Sequence, residues 1–175
     1  PSLSCDDYDA VVRVPVGADP TPPLVADVDG DGHLDVIVAL HSAERASLAV
    51  LLGDGRGGLH PGPLSACAAP AQELACGDVN GDGRIDAVVG WHDRLDGQLL
   101  LGDGKGGFAA AGAPIVLGVG FPPHTHCLAL HDIDDDGHLD LLTTQADGHC
   151  VAVLLGNGGG DFQHAPGSPT AAGKH

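Results

Sequence analysis

The chain has 175 residues, 43% of them hydrophobic, with 24 Asp and Glu against 7 Lys and Arg, a formal net charge of −17. That length suits one domain with a real core, and the apolar content excludes a wholly disordered chain. The charge excludes nucleic acid as a partner, because phosphate would be repelled, and no apolar run approaches the ~18 residues of a membrane-spanning helix, so no transmembrane segment is expected.

In chain order, Ser2-Leu3-Ser4-Cys5 has the shape of a lipidation signal without the apolar stretch that should precede it, and no secretory signal is visible. Val11-Val12-Arg13-Val14 reads as an outer strand. Leu24-Val25-Ala26 is a short apolar run that leads into DVDGDGHLD at 27–35, where four aspartates share nine residues. Val36-Ile37-Val38 follows at once. Leu48 to Leu52 is a third run, and it ends in Gly-Asp-Gly, a hairpin signal.

The same order then returns twice. DVNGDGRIDAVV begins at Asp78 and DIDDDGHLDLLT at Asp132, each flanked by apolar runs (Leu74-Ala75-Cys76 and Ala87-Val88-Val89; Leu128-Ala129-Leu130 and Leu141-Leu142). A second signature keeps step with the first: AVLLGDGRGGL at 49–59, QLLLGDGKGGF at 98–108 and AVLLGNGGGDF in the third copy, ending at Phe162. A fourth run, Pro114 to Val119, follows the glycine-rich turn of the second copy. The 28 glycines and 13 prolines punctuate the runs, and no helical stripe survives between them. Four short strands in a repeat of about 50 residues is the size of one propeller blade. The expected fold is therefore all-β: one repeat domain over residues 1–175, built from blades of four antiparallel strands at approximately 11–66, 67–119 and 120–170.

Three blades are too few to close a ring, since propellers use about four to eight. The open blade edges invite a protein partner or copies of the same chain, unless the chain is part of a longer propeller. The register of Val11–Val14 suggests that the first strand completes the last blade of a neighbouring copy.

The spacing D-x-[DN]-x-D-G-x-x-x-D suits calcium, which takes six to eight oxygen ligands in flexible geometry. Positions 1, 3 and 5 turn oxygens inward, glycine at 6 permits a sharp turn, the carbonyl at 7 points in, and a carboxylate at 9 closes the shell. Three Ca²⁺ sites are expected. The first uses Asp27, Asp29, Asp31, the carbonyl of His33 and Asp35. The second uses Asp78, Asn80, Asp82, the carbonyl of Arg84 and Asp86, and the third Asp132, Asp134, Asp136, the carbonyl of His138 and Asp140. Asn80 replaces an inner carboxylate, so the middle site should be the weakest. An EF-hand would need Glu at position 12, where Val38, Val89 and Thr143 stand.

These residues resemble the FG-GAP or VCBS repeats of propellers like those of integrin α-subunits, over roughly Val11 to Phe162. The resemblance implies a calcium loop between the first and second strands of each blade. It also implies a secreted or cell-surface setting, with ligands usually bound on the face opposite the calcium. The Gly107-Phe108 and Ala113-Pro114 pairs stand where the family's Phe-Gly and Gly-Ala-Pro signature would be, which favours the VCBS-like branch.

Other chemistry is thinner. Five cysteines without a C-x-x-C pair allow Cys67–Cys76 or Cys127–Cys150 bridges, which would leave Cys5 over, or buried free thiols. His41, His92, His124 and His126, with His149 and Trp91, would share the end of the blades opposite the aspartate loops. They could line a ligand face or hold a transition metal. No G-x-S-x-G occurs and no serine has an evident base, so an enzyme is not expected. The function expected is an extracellular calcium-binding adhesion, interaction or self-assembly module. A carbohydrate-binding propeller is the rival reading, against the scarcity of stacking aromatics (one Trp, one Tyr, three Phe), and part of a secreted enzyme comes third.

Overall fold

The structure, a computed structural model, describes residues 14–41, 46–118, 125–145 and 148–171. Cys5, residues 11–13 of the expected first strand, His124 and the side chain of His126 lie outside the described residues. Among the described residues there are thirteen strands and no helix. None therefore is long and apolar enough to cross a membrane.

The first sheet is a meander of β1 (Leu24–Ala26), β2 (Asp35–Leu40), β3 (Ser47–Gly53) and β4 (Leu59–Ala66). The second repeats it with β5 (Glu73–Gly77), β6 (Asp86–Gly90), β7 (Asp96–Gly102) and β8 (Phe108–Val116). The third has β9 (Thr125–His131), β10 (Asp140–Gln145), β11 (Cys150–Gly156) and β12 (Phe162–His164), with β13 (Thr170–Ala171) also paired to β11. All pairs are antiparallel. The register places each aspartate loop directly between the first two strands of its sheet: Ala26 opposes Asp35, Gly77 opposes Asp86 and His131 opposes Asp140.

The outer strand of the second sheet differs from the run expected at Pro114 to Val119. It starts at Phe108 and crosses an irregularity before Ile115. Leu99 opposes Ala111 while Gly97 opposes Ile115, so Gly112, Ala113 and Pro114 bulge out opposite Gln98. Gly112 supplies the left-handed residue that the bulge needs, at φ 68°.

The sheets stack face to face as blades, and the core lies between them. Ile37, Ala39, Leu48 and Val50 of the first blade meet Leu74, Ala87, Val89, Leu100 and Phe108 of the second in one cluster. Val88, Leu99 and Ile115 of the second meet Leu128, Leu141, Ala152 and Leu154 of the third in another. Both faces of the middle blade are thus buried, which is why β6 reads as a continuous apolar run rather than an alternation. Each fully buried Leu or Ile here contributes about 1.5–3 kcal/mol.

The four described cysteines are free thiols. Burial pushes the Cys67 thiol up to about 11 and the Cys76 thiol up to about 12, so neither is a ready nucleophile.

Candidate metal-binding loops

In each blade the aspartate at position 1 organises its loop by accepting backbone N–H groups. Asp27 accepts from Gly30 at 2.8 Å and Gly32 at 3.0 Å, Asp78 from Gly81 and Gly83 at 2.8 Å each, and Asp132 from Asp136 at 3.1 Å and Gly137 at 2.9 Å. Position 5 accepts from position 7: Asp31 from His33, Asp82 from Arg84 and Asp136 from His138. Positions 4 and 6 are left-handed throughout. Gly30 and Gly81 hold position 4 at φ 76° and 73°, and in the third loop Asp135 takes it at 61°.

Position 9 does something its motif does not announce. Asp35, Asp86 and Asp140 are all 0% exposed. One carboxylate oxygen accepts the amide of position 2 (Val28 at 2.9 Å, Val79 at 3.2 Å, Ile133 at 2.8 Å). The other accepts the amide that closes the third strand (Gly53 at 2.8 Å, Gly102 and Gly156 at 2.9 Å). One buried carboxylate therefore joins the loop to the hairpin of the second signature. Burial pushes the Asp86 carboxyl up, opposed by these two amides, with the Asp82 and Asp78 charges adding to the rise.

The same glycines explain why the two signatures keep step. A Cβ on Gly53, Gly102 or Gly156 would strike the carbonyl oxygen of Leu34, Ile85 or Leu139, the residue before the buried aspartate. The ring of His33 lies over Gly55, that of His138 over Gly158, and the stem of Arg84 over Gly104. The turn itself is closed by a residue that the motif reading passed over. Asp54 accepts from Arg56 and Gly58, Asp103 from Lys105 and Gly107, and Asn157 from Gly159 and Asp161. These amides hold the Asp54 carboxyl below its usual range. The recurrence of Asp or Asn inside each Gly-x-Gly was the signal for it.

The oxygen donors suit a hard cation to different degrees in the three loops. Oxygens of Asp27, Asp29 and Asp35 lie within 4.8 Å of one another, as do those of Asp132, Asp134 and Asp136. That spread fits oxygens about 2.3–2.6 Å from a common centre. Asp31 and Asp140 stand outside those triads. Among the described residues the middle loop gathers no such carboxylate triad. There Asn80 Nδ2 donates to Asp82 Oδ2 at 3.3 Å, so an amide sits where the other loops have a carboxylate. Desolvation pushes the Asp134 carboxyl up, and the charges of Asp136, Asp140 and Asp132 push it further.

The profile of FG-GAP-like repeats matches residues 27–89 and 78–143, two overlapping copies that together take in most of the chain. The chain belongs to the FG-GAP-like repeat family. No curated protein matches it. Among solved structures, an Agrocybe aegerita lectin described for specific recognition of non-reducing terminal N-acetylglucosamine is 23% identical, with a TM-score of 0.56 over 83% of this chain. The match covers 36% of the lectin chain, so this chain spans about a third of its length. That likeness shows the fold alone.

At the other end of these FG-GAP-like blades, the residues expected to share a ligand face are spread out. Trp91 is 3% exposed and belongs to the core between the first two blades, with the Arg94 guanidinium 4.5 Å from its ring centre. Arg94 in turn pairs with Asp96 through two hydrogen bonds of 2.6 and 2.8 Å. His41 is exposed and its Nε2 lies 3.3 Å from Gln72 Nε2 of the next blade. His92 is half-buried. Among the described residues no three His, Cys, Asp or Glu side chains converge at this end as a metal site would require. A cavity of about 180 Å³ does open beside Trp91, bordered by Ala68, Arg94, Asp96, Gln98 and the 112–114 bulge.

Proposed function

We propose that this FG-GAP-like chain is an extracellular calcium-binding interaction module in which calcium is structural. The observation that carries the reading is the buried aspartate at position 9. Whatever fixes the exposed carboxylates of the loop is coupled, through Asp35, Asp86 or Asp140, to the hairpin that frames the blade. Asp27, Asp29, Asp31, Asp35 and the His33 carbonyl would hold the first ion. Asp78, Asn80, Asp82, Asp86 and the Arg84 carbonyl would hold the second, and Asp132, Asp134, Asp136, Asp140 and the His138 carbonyl the third. Bound calcium would supply the positive charge that offsets carboxylate repulsion in a chain of net charge −17.

Binding to the folded state alone stabilises it by about 3 kcal/mol at a few hundred times Kd. Thermal unfolding in millimolar calcium and in EDTA tests this: an upward shift of several degrees supports it, and superimposable curves sink it. Calorimetric titration ranks the sites. The middle loop should be weakest, and Asn80→Asp should tighten it severalfold.

Glycan binding is the second reading, favoured by the cavity beside Trp91 and by the ligand named for the lectin of shared fold. A glycan array separates the two readings, since a purely structural calcium module gives no saccharide hits.

A further inference from the structure

We propose that Asn157, in the turn between β11 and β12, is a self-modification site, where attack by the Gly158 nitrogen converts the side-chain amide to a carboxylate in the folded protein. The chain has two asparagines, Asn80 and Asn157, and both precede glycine. Both also stand where the sister copies carry aspartate: Asn80 aligns with Asp29 and Asp134, and Asn157 with Asp54 and Asp103. The structure gives the two sites opposite surroundings.

The reaction needs only the chain and water. The backbone nitrogen of the next residue bonds to the asparagine Cγ, and glycine, without a Cβ, lets it approach. The Cγ–Nδ2 bond breaks, and the proton lost by the attacking nitrogen leaves on Nδ2 as part of ammonia. Water then opens the five-membered imide at either carbonyl. One opening gives aspartate, and the other gives its isomer, with the backbone running through the former side-chain carbonyl. Nothing is oxidised or reduced.

At Asn157 each moving group has its complement. Asn157 Oδ1, which takes up negative charge when Cγ is attacked, accepts Gly159 N at 2.8 Å and Asp161 N at 3.1 Å. Asn157 Nδ2, the departing group, donates to Asp161 Oδ2 at 3.3 Å. That carboxylate is placed to deliver the proton that Nδ2 needs in order to leave. The attacking Gly158 N donates to no acceptor among the described residues.

At Asn80 the attacking group is already occupied. Gly81 N donates to Asp78 Oδ1 at 2.8 Å, one of the bonds that organise the middle loop, so attack has to break a bond to a charged acceptor. Asn80 Oδ1 accepts one amide, Asp82 N at 3.0 Å, where Asn157 has two.

The exposure of Asn157 does not depend on where the sequence stops. Asp103, its counterpart in the middle blade, is exposed as well, with a blade on either side. The fold also has room for one product. Asp54 and Asp103 accept the same two turn amides, so an aspartate at 157 keeps the turn closed. The isomer lengthens the backbone of a turn whose Gly160 rests on Leu99 of the second blade, and so loosens that joint.

The test is to age the full chain for days at body temperature and mildly alkaline pH, in water enriched in heavy oxygen, and to map the peptides by mass spectrometry. EDTA is present throughout, so that protection of Asn80 comes from the Gly81–Asp78 bond and not from an ion. Heavy oxygen should enter at 157, as aspartate and its isomer, at least about tenfold faster than at 80. In urea the ratio should fall towards one, because both sites are then plain Asn-Gly peptides. Asp161→Asn should slow conversion at 157 severalfold and leave the rate at 80 unchanged. Circular dichroism checks folding, and Asp161→Ser serves should Asp161→Asn unfold. Equal rates in the folded chain, faster conversion at 80 or no conversion at 157 overturns the proposal. So does conversion at 157 that is indifferent to both Asp161 variants, which would leave only the chemistry of any exposed Asn-Gly turn.

Discussion

The two ends of each blade are built on different terms. At the loop end the three copies use the same residues for the same bonds: an aspartate gathering amides at position 1, a buried aspartate at position 9, a strand-closing glycine pressed on a carbonyl. At the far end one position at the close of the second strand is filled by Leu40, Trp91 and Gln145. Leu40 packs beside Val38 and Ala49. Trp91 enters the inter-blade core under Arg94. Gln145 donates to the Leu117 carbonyl at 3.1 Å. Polar backbone groups leave few solutions, because a buried amide without its acceptor costs about 1–3 kcal/mol. An apolar slot accepts side chains of suitable volume, so the far end is where the blades are free to differ.

The largest effect should come from the far end. Trp91→Ala empties a core site and is expected to cost about 3–5 kcal/mol in urea unfolding. Trp91→Phe should cost far less, because the indole N–H has no partner to lose. Neither should alter calcium affinity by calorimetry. A change there would mean that the two ends are coupled through the blade.

Next comes the loop end. Asp86→Ala orphans the Val79 and Gly102 amides and is expected to cost about 2–4 kcal/mol. The comparison is sharpened by measuring it in EDTA as well as in calcium. Part of the loss should survive in EDTA, since the buried bonds exist without an ion, and the loss should grow in calcium, where a ligand also goes. A loss seen only in calcium would reduce position 9 to a ligand.

The same division decides what could be read from sequence. The repeat, the four strands of each blade and the acidic loops were legible because they rest on local patterns: apolar runs, glycine punctuation, aspartates at fixed spacing. The double role of Asp35, Asp86 and Asp140 was not, because its second partner is a glycine amide in another strand, sixteen to eighteen residues away. Trp91 looked like a ligand-face residue beside His92, yet the alignment with Leu40 already marked an inward position. The 112–114 bulge escaped because register is a property of the pair Leu99–Ala111 and Gly97–Ile115, not of either strand.

Between the two ends stands Thr143, 1% exposed, with no hydrogen-bond partner for its hydroxyl. Val38 and Val89 hold the same place in the other blades. Thr143→Val keeps the shape and removes an unpaired buried polar group, so it is expected to stabilise by about 1 kcal/mol. A destabilised variant would mean that the hydroxyl has a partner, such as an enclosed water, and that the third blade differs here for a reason.

The smallest effect concerns a backbone difference among the loops. Asp135 sits left-handed at φ 61° where Gly30 and Gly81 sit in the other two. A side chain costs energy there, less for Asp than for most residues, while glycine brings its own entropic penalty in the unfolded chain. The balance predicts a gain of about 0.5 kcal/mol for Asp135→Gly in calcium. In EDTA the gain should be larger, since the substitution also removes a charge from a crowded acidic loop. Calcium affinity of the third site separates two roles for the side chain. Unchanged affinity leaves Asp135 outside the ligand set, a tolerated departure from glycine. Affinity that falls severalfold makes it an additional anionic group serving the ion, and the strained backbone then has a function that its two sister loops do without.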